Sequence, residues 1–203
     1  MDCSVENIIK FSKTVPHKFI LLHTFRYISG EKSFFLLKKH NLFHIFFKMK
    51  NHHYQTRIIW TGNQGAGTKS YAAYSRDHEI QSAGKAIIEA ASDPAFRGNP
   101  ERYNPEELLV ASLSSCHMLW YLHLCAVNGI VVETYIDEAE GWMEETDEGG
   151  GFFKKVILKP RVTLSGFEKM ELAESLHHRA HELCFIANSV NFEVACEPSF
   201  LSE

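Results

Sequence analysis

Cys116 and Cys184 are the side chains of this sequence best placed by type and spacing to do chemistry. A thiolate is a strong nucleophile that a peroxide can oxidise stepwise. Cys116 follows Glu106 by ten residues, and Cys184 follows His181 by three. Two separated thiols, each expected on a buried helix and one following a carboxylate, point to thiol redox chemistry with a peroxide as oxidant. A ten-residue helical step leaves Glu106 and Cys116 about 80° apart around the axis and about 15 Å apart along it. Direct contact is therefore not expected, and an arginine could bridge them. Cys116 would also sit about three turns into its helix, where the dipole at the helix start gives little help. A cation from elsewhere must then hold its thiolate.

The other candidates carry weaker signals. Cys125 lies nine residues after Cys116, about 900° on, hence on the opposite helix face and suited to packing. Cys196 reads as core. His177, His181 and Cys184 fall at i, i+4 and i+7, one helix face with acceptable metal-ligand spacing. Histidine-rich faces are more often solvated, and no matching carboxylate or cysteine pair stands out, so no metal is assigned. His117 follows Cys116 directly and cannot easily reach its thiol from the same helix. That weighs against a Cys–His hydrolase or transferase.

These residues need elements to hold them. Tyr54 to Trp60 alternates and is rich in β-formers, so it reads as a first strand. Ser70 to Arg76 reads as a second, hairpin-paired with the first across a glycine turn at 62–67; Ala86 to Ala90 is a third candidate that could also start a helix. Asn104 suits an N-cap, Pro105 the first helical position, and Glu106 and Glu107 the positive end of the helix dipole. From Leu108 to Val127 the segment is apolar almost all round, which predicts a central helix buried on most faces. Asn128-Gly129 closes it. Val131 to Met143 and Phe152 to Leu164 are β-like runs joined by the acidic, glycine-rich hairpin 144–151. A helix is expected from Glu168 to about Ile186, and a last strand from Asn191 to Cys196. Strands, long helix, two strands, helix and strand make an α+β chain, not a βαβ repeat.

Composition sets the outer bounds. A length of 203 residues fits one ordinary domain, or one domain plus an extension, and 45% hydrophobic residues suffice for a core. A net charge of −4 gives no pointer to nucleic acid. Five cysteines without a secretory leader argue against a disulfide framework. No uninterrupted apolar run of membrane-spanning length occurs in the sequence. Residues 1–48 hold 8 Lys+Arg against 3 Asp+Glu and eight of the fifteen phenylalanines, whereas 49–203 holds 13 against 22. The switch marks a boundary near Met49. Upstream sequence before a start at Met49 is the favoured reading of 1–48. A basic membrane-binding extension or a targeting peptide are the alternatives.

The core from about Met49 to Glu203 resembles the OsmC/Ohr family of peroxide-detoxifying proteins. The resemblance rests on Asn104-Pro105-Glu106-Glu107-Leu108-Leu109, then Ala111-Ser112-Leu113-Ser114-Ser115-Cys116, and on Ala180-His181-Glu182-Leu183-Cys184-Phe185-Ile186-Ala187-Asn188-Ser189. His117 after the first cysteine, and Phe185 where proline is common, depart from the pattern. The resemblance implies an α+β fold with long buried central helices wrapped by antiparallel sheets, in an intertwined homodimer with two sites at the interface. By position it implies Cys116 as the peroxidatic thiol, Cys184 as the resolving thiol and Glu106 as the carboxylate that orients an arginine. That arginine is Arg97, just before the motif, or Arg76, after the first strands, with Arg76 favoured. Met118 and Trp120 would line an apolar pocket.

The implied activity is thiol-dependent reduction of organic hydroperoxides, and of hydrogen peroxide, in oxidative-stress defence. A non-catalytic ligand- or metal-binding module on the same fold is the alternative. No bound cofactor is expected. The expected partners are a hydroperoxide, an external dithiol reductant (a small molecule or a lipoylated protein) and a second copy of the chain, with neither nucleic acid nor membrane. A cytoplasmic location is expected.

Overall fold

The computed structural model describes residues 51–201, so the expectations for residues 1–48 lie outside the described part. Within it, the order is β1 (Arg57–Trp60), β2 (His78–Gln81), β3 (Ile88–Ala90), α1 (Pro105–Val127), β4 (Val132–Asp137), β5 (Glu140–Glu145), β6 (Gly151–Leu158), β7 (Pro160–Leu164), α2 (Met170–Leu183), β8 (Glu193–Cys196) and β9 (Ser199–Leu201). This is the expected α+β arrangement. Three three-stranded sheets form, ordered β1-β2-β3, β4-β7-β9 and β5-β6-β8.

The expected all-antiparallel sheets are corrected in two places. β6 pairs with β8, and β7 with β9, in parallel. The reason lies in a change of sheet. Each long β-like run breaks once, at 138–139 and at Lys159, so each supplies one strand to either sheet. Pro160 follows the second break, where its missing N–H removes no bond from a continuous ladder. Asp137 secures both breaks: its carboxylate accepts from the Lys159 backbone N–H at 2.6 Å and from the Ser114 hydroxyl of α1.

The second strand is also displaced. Residues 70–76 form turns rather than the expected strand, and β1 pairs instead with His78–Gln81. Beyond β1 the pairing is reduced to an isolated antiparallel bridge between Asn63 and Tyr74, with a close backbone approach beside it. The Ser75 N–H donates to the Gly62 carbonyl at 2.9 Å, and a Cβ on Gly62 would come within 2.0 Å of the Ser75 oxygen. Only glycine permits that approach.

α1 begins as expected. The Asn104 side chain accepts from the Glu107 N–H at 2.7 Å, while the Glu107 carboxylate accepts from the Asn104 N–H at 3.1 Å, a reciprocal cap. Gly129, at φ 64°, ends the helix in the left-handed conformation that glycine adopts freely. The helix is long and apolar enough to cross a membrane by length and composition. In the described chain it packs on α2 and β4.

Burial on most faces is not what the single chain shows. Its buried positions are Leu113, His117, Tyr121 and Cys125, a stripe at four-residue spacing, while Leu119 and Val127 remain 63% and 64% exposed. Two apolar cores flank this stripe. Leu113 packs with Val156 and Leu158, and Tyr121 and Cys125 pack with Val162, Leu164, Ala173 and Ala180.

Candidate active site

Three stripes of α1 do different work. The first, Leu113, His117, Tyr121 and Cys125, packs inward. A second, Glu106, Val110, Ser114 and Met118, lines a cleft of about 790 Å³ whose far wall includes Tyr135 and Phe153. On the third, Cys116 meets Cys184, and Trp120 meets Phe185 edge-on with ring centroids 6.0 Å apart. The four-residue repeat of each stripe follows from the helical period.

Cys184 lies just past the end of α2. The expected helix to Ile186 stops at Leu183 because Cys184 turns to an extended conformation, φ −66° and ψ 112°. The Asn188 side-chain amide donates to the carbonyls of both Glu182 and Cys184 at 2.9 Å, satisfying groups the helix leaves open. The turn directs the Cys184 sulfur inward, where it accepts from the Ala187 N–H at 3.4 Å and is 1% exposed. It stands within hydrogen-bonding reach of the Cys116 thiol, and both are free thiols. Burial, followed by the bond to Cys116, pushes the Cys184 thiol up to about 11. Cys116 is half-buried. The pair therefore joins a half-buried cysteine to a buried one whose thiol stays protonated near neutral pH.

The other expected site residues sit elsewhere. One oxygen of Glu106, Oε2, is buried with no hydrogen-bond partner among the described residues. Arg76 donates to the carbonyls of Tyr74 and Tyr71 at 2.7 and 2.9 Å, and its guanidinium lies over their rings at 4.3 and 4.1 Å respectively. Arg97 adopts φ 65° at the end of a short 3-10 turn, Pro94–Phe96, with its guanidinium 5.9 Å from the Tyr71 ring. Arg102 pairs with Asp77 at 3.8 Å and Glu89 at 3.6 Å. Within the described chain, then, the two cysteines come together, Arg76 and Arg97 share the Tyr71 ring, and Glu106 lies on the cleft without a described partner. Met118 lines the cleft, and Trp120 sits beside the Cys184 turn.

The histidine face of α2 does not act as one unit. His178 is exposed and pairs with Glu182 at 3.3 Å. His177 is buried, and its Nδ1 lies 3.0 Å from Nε2 of buried His117, with the rings stacked at 5.3 Å. Cys196 Sγ lies 3.5 Å from His117 Nε2 and 3.8 Å from His177 Nδ1. Burial holds His117 down at about 4 and His177 at about 3, so both imidazoles are neutral at pH 7. Burial, reinforced by Asp137 and Glu197, raises the Cys196 thiol to about 12. This cluster was missed in the sequence because its three members come from α1, α2 and β8. One signal was present: His117 falls at four-residue spacing with Leu113, Tyr121 and Cys125, on the face that packs inward.

Comparison with known proteins places this geometry in a family. A family profile described as OsmC-like protein matches residues 98–199. An OsmC-like protein of unknown function from Vibrio cholerae is 36% identical in a solved structure, covering 74% of this chain and 100% of that one, with a TM-score of 0.65. An organic hydroperoxide resistance protein from Elizabethkingia anophelis shares the fold at 21% identity, over 75% of this chain and 100% of that one, with a TM-score of 0.56. The uncharacterized protein YmaD of Bacillus subtilis is 25% identical over 156 residues, 74% of this chain and 96% of its own length. The chain belongs to the OsmC/Ohr family and carries a closely placed pair of thiols.

Proposed function

We propose that this protein is a thiol-dependent peroxidase that reduces organic hydroperoxides, and hydrogen peroxide, to alcohol or water. The observation that carries the reading is the pairing of half-buried Cys116 with buried Cys184, whose thiol is held up at about 11. The Cys116 thiolate attacks one oxygen of ROOH, the O–O bond breaks, and RO⁻ leaves and takes a proton to become ROH. Cys116 is left as a sulfenic acid. The Cys184 sulfur then attacks Cys116, an S–S bond forms, and water leaves with the Cys184 proton. An external dithiol reduces the disulfide by thiol exchange and is itself oxidised to a disulfide.

The homodimer belongs to the same proposal. Exposed Leu119 and Val127 on α1, and the cleft beside unpartnered Glu106, are surfaces that a second copy would cover. An arginine reaching Glu106, Arg76 or Arg97, would come with that assembly and hold the Cys116 thiolate. The reaction needs no resident cofactor, and a cytoplasmic setting would keep the reductant at hand.

Protein beginning at Met49 would be treated with one equivalent of cumene hydroperoxide and analysed by intact mass and thiol counting. Loss of two thiols and of about 2 Da, mapped to a Cys116–Cys184 peptide pair, is the expected result. Unchanged thiols would move the reading to a binding module on the same fold.

A further inference from the structure

We propose that His117, His177 and Cys196 form a site for a zinc-class transition-metal ion, separate from the Cys116–Cys184 pair. The three donor atoms lie within 4.8 Å of one another, one each from α1, α2 and β8. Zinc binds imidazole nitrogen at about 2.0–2.1 Å and thiolate sulfur at about 2.3 Å. Tetrahedral angles then separate two nitrogens by about 3.3 Å, and a nitrogen from a sulfur by about 3.6 Å. The observed separations are 3.0 Å between the nitrogens and 3.5 and 3.8 Å to the sulfur. Adjustments of a few tenths of an ångström suffice. Two neutral imidazoles and one thiol form a borderline-soft donor set, suited to zinc or copper and poorly suited to magnesium or calcium.

The surroundings supply rigidity and access. The Tyr121 ring stacks on His177 with centroids 3.8 Å apart, and the His117 and His177 rings lie within 6° of parallel. Cys196 is fixed by the parallel pairing of β8 with β6, opposite Leu158. On the outer side, His177 and Cys196 line a cleft of about 330 Å³ together with Glu174 and His181. An ion enters from that cleft, and water or one of its side chains takes the fourth position. Three protein donors with an open fourth position is the arrangement of a reactive zinc site rather than a closed structural one. Metal binding replaces the Cys196 S–H bond with a metal–thiolate bond and releases the proton to solvent, with no change in oxidation state.

The test uses full-length, tag-free protein carrying Cys116→Ser and Cys184→Ser, so that the redox pair can neither bind metal nor confuse the result. The protein is stripped with chelator and titrated with Co²⁺ as the spectroscopic probe. One equivalent should give tetrahedral d–d bands and a thiolate-to-cobalt charge-transfer band, both displaced by Zn²⁺. Cys196→Ser in this background should remove the charge-transfer band, and His177→Asn should weaken binding at least about tenfold. A second measurement needs no variant of the cluster: bound Zn²⁺ should protect Cys196 from alkylation, read by peptide mapping. Binding far below one equivalent, a charge-transfer band that survives Cys196→Ser, or alkylation of Cys196 unaffected by Zn²⁺ would overturn the proposal. The cluster would then be a hydrogen-bonded core feature only. None of these readouts depends on peroxide turnover, so this site and the peroxidase reading stand or fall separately.

Discussion

The thiol pair and the His–His–Cys cluster lie on one seam between α1 and α2, yet they are built on opposite terms. Cys116 and His117 are consecutive, about 100° apart around α1. His177 and Cys184 lie two turns apart along α2 and beyond it, about 10 Å in rise. Cys116 is half-buried and meets a partner that sits in a turn. His117 and His177 are 1% and 3% exposed and are held by stacked rings. A partly exposed cysteine suits the proposed reaction with an incoming oxidant, whereas buried donors suit an ion that stays. One residue of rotation on a helix is enough to keep a reacting thiol and a metal-type donor set apart.

Substitutions can break this contrast, beginning with the largest effect. Cys116→Ser should lower hydroperoxide consumption by at least about a thousandfold, measured as peroxide loss with excess dithiol. Unchanged turnover would remove Cys116 from the chemistry. Cys184→Ser should leave a stoichiometric burst of peroxide reduction and then a stall, with sulfinic and sulfonic acid accumulating on Cys116 by mass. Sustained turnover would show that Cys184 resolves nothing.

Stability sharpens the contrast. Leu113→Ala, next to the cluster on the core stripe, should destabilise by about 2–5 kcal/mol in denaturant unfolding, because it opens a cavity against Val156 and Leu158. Metal-free protein should also lose stability in acid. His117 and His177 are held near 4 and 3 in the fold, below the ordinary 6.5, so between those values the unfolded chain binds more protons than the folded one. Melting temperature should therefore fall as pH drops from about 6.5 through 4 towards 3. The titratable groups around the pair are His181, Cys196, Tyr121, whose ring stacks on His177, and Glu174 in the outer cleft. A flat profile over that window would show the imidazoles to be protonated in the fold. The smallest effect is expected at Asn104→Ala, which removes one half of the cap of α1 and should cost about 1 kcal/mol in thermal or denaturant melts.

Local chemistry was legible in the sequence, and distant pairing was not. The cap at Asn104, the glycine end at 129 and the hairpin at 144–151 follow from residue preferences within a few positions, and all three appear. The opposite placement of Cys125 and Cys116 followed from helical geometry alone. Residues 70–73 turn, and only Tyr74 keeps a bridge, to Asn63, a long-range pairing that no local pattern records. The parallel strands β8 and β9 could not be read either, since each choice of partner depends on where the long β-like runs change sheet. At the site, the meeting of Cys116 and Cys184 came from family resemblance rather than from spacing. The partners of His117 come from α2 and β8, 60 and 79 residues away in sequence, beyond any local pattern.

Asp137 ties these regions together mechanically. Its one carboxylate holds the helix through Ser114 and the second change of sheet through Lys159, right beside the first. The two mixed sheets therefore cannot slide past each other without also pulling on the middle of α1. Strain entered at the start of α1, for example by a shift of Glu106, has a short rigid route to the strands. That single side chain works as a pin, and the helix and both sheets share its load.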